Sequence, residues 1–316
     1  MMKYLILLDG VKMLKLMINI SSLKLRNPTM LASGIIGVSG SLLKKVALEG
    51  GAGAIVTKSL TYKPRNGYQN PVIIGTKCGF INAIGLANQG YEEFLKEELP
   101  IAKESNVPII VSLAGENLNE FKEMALEAQK RGADAIELNL SCPHVEKHGF
   151  EIGNDPELVY NIIKELKKEI KIPIFAKIGL MDNLKDVAIM AEKAGADAIT
   201  AINTIKAMAI NIHSFKPILS NIFGGLSGPA IHPIAIRCVY ELYETVKIPI
   251  IGVGGIENWI DAIEFFLAGA SAIQIGSAIA IKGIEIFKEI VNGLEEYLEK
   301  NGFEKIDEII GLAHKK

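Results

Sequence analysis

Apolar residues group along this chain in two ways. Short runs dense in Ile, Val and Ala occur at 29–35, 54–60, 108–115, 135–142, 173–179, 198–204, 249–256 and 272–278, and between them apolar positions recur at three- and four-residue spacing among charged ones. The first grouping predicts buried β-strands and the second amphipathic helices. The helix candidates include NLNEFKEMALEAQKRG, DPELVYNIIKELKKEI, NLKDVAIMAEKAG and NWIDAIEFFLAG. Gly132 and Gly195 stand where a helix end favours a left-handed residue, and Pro156 where a first helical turn accepts proline. Strands this uniformly apolar are expected where helices cover both faces of a parallel sheet.

Internal repeats sharpen the picture. GAGAI at 51, GADAI at 132 and 195, and GASAI at 269 each close a helical pattern and open a strand, while VPII at 107, IPIF at 172 and IPII at 248 mark further strand starts. Strand and helix alternating eight times predict an α/β fold of the closed (β/α)8 type, a TIM barrel; an open doubly wound sheet is the alternative. Two connections, about 61–90 and the segment after the sixth strand, are too long for turns and are expected to act as lids or binding walls. INISSLKLRNP has hairpin character and is placed at the barrel bottom. Residues 1–16 read as an N-terminal extension, with Met17 as an alternative first residue of the native chain and 17–316 as one barrel domain.

Composition narrows the chemistry. A formal net charge of −2 without a long basic block argues against a nucleic-acid surface. Three scattered cysteines, Cys78, Cys142 and Cys238, make a disulfide framework improbable and point to a reducing cytoplasm. No CxxC pair is present, so neither an iron–sulfur cluster nor a structural metal is expected on this chain. Lysines and Asp9 interrupt the apolar start, and FFLAGASAIQIGSAIAI carries polar residues and glycines, so it is expected to be a helix end, strand and loop rather than a membrane span.

In such barrels the chemistry gathers at the C-terminal strand ends. These positions read Ser33, Thr57, Lys58, Ser112, Asn139, Cys142, Lys177, Asn203, Thr204, Gly254, Gly255, Gly276 and Ser277. Inward lysines need an anion or polar ligand, since an unpaired buried charge is costly. The glycines of GVGGI and IGSA let backbone approach a phosphate, although Glu257 replaces the third glycine of a dinucleotide fingerprint. Cys142 admits three readings: a metal ligand with His144 and His148, a packed thiol, or a reactive group lowered in pKa by nearby lysines. Cys78 and Cys238 read as packing residues.

Taken in order, VTKSL, NAIGL, NLSCP, AKIG, INT, GGLSGPAI, GVGGI and IGSA resemble the dihydroorotate dehydrogenase family across residues 19–300, and NAIGL with GGLSGPAI is most similar to its NAD-linked class 1B catalytic subunits. The resemblance implies oxidation of (S)-dihydroorotate to orotate, in pyrimidine biosynthesis, with one FMN per chain. It makes Cys142 the base that takes the C5 proton while hydride leaves C6 for flavin N5. It assigns Lys58, Asn82, Ala83, Ile84, Gly85, Leu86, Asn139, Asn203 and Thr204 to substrate. To FMN it assigns Ser33, Thr57, Lys58, Ser112, Asn139, Lys177, Ile202, Gly228, Gly254, Gly255, Gly276 and Ser277.

Two positions depart from the family pattern: His144 and Ser112 each stand where an asparagine is usual. The resemblance also implies a homodimer of catalytic chains and a partner subunit carrying FAD and a [2Fe-2S] cluster, two of each chain forming a heterotetramer that delivers electrons to NAD. A fumarate-using class 1A enzyme, a dihydropyrimidine dehydrogenase, and a phosphate-binding barrel lyase or aldolase using Lys177 as a Schiff-base amine are the alternatives.

Overall fold

A computed structural model describes residues 15–140 and 152–315. In chain order its strands are β1 (Ile18–Ile20), β2 (Leu23–Leu25), β3 (Thr29–Leu31), β4 (Ala54–Val56), β5 (Ile73–Thr76), β6 (Gly79–Asn82), β7 (Ile109–Leu113), β8 (Ala135–Asn139), β9 (Ile174–Ile178), β10 (Ala198–Ala201), β11 (Ile205–Ala207), β12 (Ile210–Asn211), β13 (Lys216–Pro217), β14 (Gly224–Ser227), β15 (Ile250–Val253) and β16 (Ala272–Ile275). β3, β4, β7, β8, β9, β10, β15 and β16 close into a barrel whose neighbouring strands all run parallel. Each lies inside one of the eight apolar runs, so the closed barrel, rather than the open sheet, is the fold.

The repeated phrase has a physical cause at each position. Gly51, Gly132, Gly195 and Gly269 have φ of 90°, 86°, 97° and 114°, the left-handed region that lets a helix end without a Cβ clash. The following alanines, Ala52, Ala133, Ala196 and Ala270, are buried where nothing larger is called for. The carboxylates of Asp134 and Asp197 accept from the first amides of neighbouring strands, Ile109 N at 2.7 Å and Ile174 N at 2.8 Å, while pairing with Lys103 and Lys167. Gly53 occupies the matching place in the first repeat because a Cβ there would lie 2.1 Å from the Asn27 carbonyl oxygen. Asn27 itself supplies the acceptor, taking the amide of Thr29 at 3.1 Å.

Helices behave as the sequence predicts. Leu118–Lys130 starts at Asn117 and Pro156–Glu169 at Asp155, whose side chains accept the first helical amides, and Pro156 fills the first turn. The hairpin β1–β2 buries Ile18, Ile20, Leu23 and Leu25 while turning Asn19 and Lys24 outward. Its Ser21 hydroxyl donates to Asp197 just before β10, so the hairpin sits at the N-terminal end of the barrel. Leu16, one residue before Met17, is already part of the core. Among the described residues no helix is long and apolar enough to cross a membrane. The uncharged stretch 265–281 resolves into the end of Trp259–Ala268, strand β16 and the short helix Ile279–Lys282.

The two long connections do more than form separate walls. Strands from both pair into one antiparallel sheet, in the order β11-β14-β6-β5, with Gly225 opposite Asn82 and Leu226 opposite Ile81. Ile81, Ala83 and Leu219 give this sheet a small core of its own. It roofs the C-terminal end of the barrel.

Candidate active site

A cavity of about 840 Å³ lies between the barrel's C-terminal strand ends and the roof sheet. Barrel strands contribute Ser33, Lys58, Asn139, Lys177, Asn203, Gly254 and Gly276, and the roof contributes Asn82, Gly224 and Gly225.

The floor is polar in a way that only a paired network permits. Residues of β8, β9, β10 and β16 point into the barrel, and four of them, Glu137, Lys177, Thr200 and Gln274, are buried hydrogen-bonding groups. The Lys177 ammonium lies 3.3 Å from Glu137 Oε1 and donates to Gln274 Oε1 at 3.2 Å. Gln274 Nε2 donates to Glu137 Oε2 at 2.6 Å, and the Thr200 hydroxyl donates to the same oxygen at 3.2 Å. Glu137 is wholly buried, whereas Lys177 touches the cavity. The cation is thus presented upward with its counter-ion beneath it.

A second chain of hydrogen bonds crosses the mouth. Ser59 is its hub, 3.2 Å from the Ser33 hydroxyl, 2.9 Å from that of Ser112, and accepting from Asn139 Nδ2 at 3.1 Å. Asn203 Nδ2 then donates to Asn139 Oδ1 at 3.4 Å, while Asn203 Oδ1 accepts from Thr204 N. Each carboxamide is therefore fixed in orientation, and ligand recognition by amides depends on that.

The NAIGL segment is held equally firmly. Gly85 and Leu86 both have positive φ, at 73° and 55°. For leucine this conformation is unfavourable by about 1–2 kcal/mol, and Asn88 offsets it by donating to Leu86 O at 2.6 Å and accepting from Gly90 N at 2.8 Å. Gly85 is required because a Cβ would lie 2.7 Å from the Tyr68 ring. The segment runs from Asn82 on the roof to Leu86 along the cavity wall.

At the opposite end, Gly228, Gly254, Gly255, Gly276 and Ser277 line the cavity with backbone and one hydroxyl. Gly276 is informative. No positive φ requires glycine there, and a Cβ would meet protein atoms only at ordinary contact, the nearest being Ala32 Cβ at 3.6 Å. What glycine preserves at that position is cavity space, as the close approach of a phosphate needs.

Most of the residues selected from sequence converge on this cavity: Ser33, Lys58, Asn82, Ala83, Ile84, Gly85, Leu86, Asn139, Lys177, Ile202, Asn203, Thr204, Gly228, Gly254, Gly255, Gly276 and Ser277 all line it. Thr57 and Ser112 do not. Both are wholly buried one layer below, where Thr57 Oγ1 accepts the Ser112 amide at 3.0 Å and Ser112 supports Ser59. Cys142, with His144 and His148, lies outside the described residues. Cys238 is a packing residue, and burial pushes its thiol above the ordinary range. The expectation for Cys78 is corrected: it is exposed at the turn between β5 and β6. Ser59, Glu137, Thr200 and Gln274 were not foreseen, nor were the roof side chains Tyr68, Phe80, Lys206 and Phe223 that also face the cavity.

Electrostatics at the roof favour anions. Segments 61–90 and 202–231 carry Lys63, Arg65, Lys77, Lys206 and Lys216 and not one Asp or Glu, although the whole chain is slightly acidic. A one-signed mouth raises the local concentration of oppositely charged ligands.

Comparison with known proteins gives a consistent answer. The sequence model of the family described as Dihydroorotate dehydrogenase matches residues 15–298. A Pyrococcus furiosus protein named Dihydroorotate dehydrogenase B (NAD(+)), catalytic subunit, is 50% identical over 302 residues, covering 94% of this chain and 98% of that protein. Proteins of the same name from Methanocella arvoryzae and Thermoplasma volcanium are 48% and 49% identical, over 96% and 94% of this chain and 99% and 98% of theirs.

Proposed function

The chain belongs to the dihydroorotate dehydrogenase family, and from that premise we propose that it oxidises (S)-dihydroorotate to orotate in pyrimidine biosynthesis, as the catalytic subunit of an NAD-linked, class 1B enzyme. The observation that carries this reading is the polarity of one cavity from end to end. Glycine backbone lies at one end, a buried ammonium on the floor, and oriented carboxamides with a second lysine at the other.

FMN, when bound, supplies the acceptor for the hydride that leaves C6 of the substrate. Gly228, Gly254, Gly255, Gly276 and Ser277 would hold its phosphate end, and Ser33, Lys58, Asn139 and Ile202 its ring and ribityl chain. Lys177 places positive charge at the floor, where negative charge grows on reduction. Lys58 suits the substrate carboxylate. Asn82, Asn139, Asn203, Thr204 and the 83–86 backbone provide donors and acceptors matching the alternating groups of a pyrimidine ring. Cys142 takes the C5 proton; a thiol with an ordinary pKa of about 8.5 titrates close enough to neutrality for efficient general-base catalysis. Thr57 and Ser112 act from beneath, by fixing β7 and Ser59. A Schiff-base role for Lys177 is disfavoured, because Glu137 and Gln274 both hold its ammonium.

Gly276→Ala tests the phosphate assignment. The variant is expected to fold with an unchanged unfolding midpoint, since the added methyl meets protein only at van der Waals distance. Its flavin-to-protein absorbance ratio after dialysis should fall clearly below that of the parent. Full retention of flavin would remove Gly276 from the site.

Electron disposal requires a second protein. The chain has no pair of cluster cysteines and no dinucleotide fingerprint, which supports a partner subunit with FAD and a [2Fe-2S] cluster, two of each chain assembling around a homodimer of catalytic chains. The purified FMN-loaded chain, given dihydroorotate, is expected to reduce artificial dyes but not NAD. Robust NAD reduction by this chain alone would refute the arrangement.

A further inference from the structure

Glu137 has no part in binding or proton transfer as derived above, yet it is the most completely enclosed charge in the site. A carboxylate within a barrel core is strongly disfavoured unless every oxygen is paired. Here Lys177, Gln274 and Thr200 supply those partners from three other strands. Gln274 closes a ring by accepting from the Lys177 ammonium and donating to the carboxylate, which ties the lysine to one place on the floor. The carboxylate also cancels much of the field the ammonium would otherwise direct into the cavity, and in surroundings of low dielectric that cancellation extends upward.

We propose that Glu137 is a positioning residue which, through Lys177, lowers the electron affinity of the bound flavin. The inference rests on the assignment of this cavity to FMN. Two-electron reduction, FMN + 2e⁻ + H⁺ → FMNH⁻, places a negative charge over the floor. A bare Lys177 ammonium would stabilise that charge strongly and hold the electrons back. With Glu137 beneath it, the lysine still orients the ring, but the reduced flavin remains a good enough reductant to hand its electrons toward an NAD-linked acceptor. The substrate supplies the electrons and the partner removes them, so the device changes only the equilibrium between the two flavin states.

The test is the midpoint potential of FMN in the purified, flavin-loaded chain, measured by equilibration with a reference dye under anaerobic conditions. Glu137→Gln keeps the shape of the side chain and removes its charge. It is expected to shift the equilibrium toward reduced flavin at least tenfold, about 30 mV for two electrons. Glu137→Asp, which keeps the charge but withdraws it by one methylene, is expected between the parent and Glu137→Gln, and it carries the test alone should the glutamine variant not fold. Thr200→Val removes a hydrogen bond to Glu137 without changing charge and is expected to leave the potential near the parent value. Flavin retained with an unmoved or lowered potential in the Glu137 variants would overturn the proposal, as would an equal shift in Thr200→Val. Absence of flavin from the parent protein would instead overturn the assignment of the cavity.

Discussion

Cys142→Ser is expected to keep its bound flavin and to lose about 10²–10⁴ of its turnover with dihydroorotate at neutral pH, the usual contribution of a positioned general base. A serine hydroxyl is a far weaker acid than a thiol, so almost none of it is available as the conjugate base near pH 7. The loss should appear in the anaerobic bleaching of the flavin by substrate, which isolates the first half of the reaction from any acceptor. Raising the pH should recover more rate in the variant than in the parent. Turnover equal to the parent near neutrality would remove Cys142 from proton abstraction and return it to the other readings its sequence context allows.

Lys177→Met should be the most damaging change to the fold at the site. It strips the cation from a wholly buried carboxylate, and breaking a buried ion pair from one side typically lowers stability by about 3–5 kcal/mol. Gln274 and Thr200 would still donate to Glu137, but two neutral donors do not balance a charge. The double variant Lys177→Met/Glu137→Gln is expected to recover most of the loss, because no unpaired charge is left behind. Denaturant unfolding of the flavin-free proteins measures the coupling directly. A single-variant loss below about 1 kcal/mol would mean that water reaches the floor and solvates Glu137, contrary to its burial.

The barrel was legible because its signals are local and repeated. Each GADAI-type phrase marks a left-handed helix end followed by a buried strand, and the physical constraint recurs at Gly51, Gly132, Gly195 and Gly269. The cavity-lining residues at strand ends were legible for the same reason, since strand direction fixes which end carries them. The roof was not. Its strands are three to four residues long and half exposed, so they lack clear alternation, and their pairing joins Asn82 to Gly225 across 143 positions. The floor left a signal that was overlooked. A glutamate inside AIELN and a glutamine inside AIQI interrupt runs that are otherwise buried, and a lysine inside IFAKI offers the only charge of opposite sign among those three strands. That Thr57 and Ser112 are buried below the cavity lining was not legible, because a period of two tells which way a side chain points, but not how deep in the barrel it ends.

The roof and floor also dictate when the pocket comes into being. Lys58, Asn82, Asn139 and Lys177 emerge early from a ribosome, yet β6 has only β5 beside it until Gly224–Ser227 is made, and Glu137 waits 137 residues for Gln274. The cylinder itself joins only when β16 reaches β3. The cavity is therefore complete only after almost the whole polypeptide has been translated, and a chain cut short before the eighth barrel strand would carry most of its lining residues without the closure that brings them together.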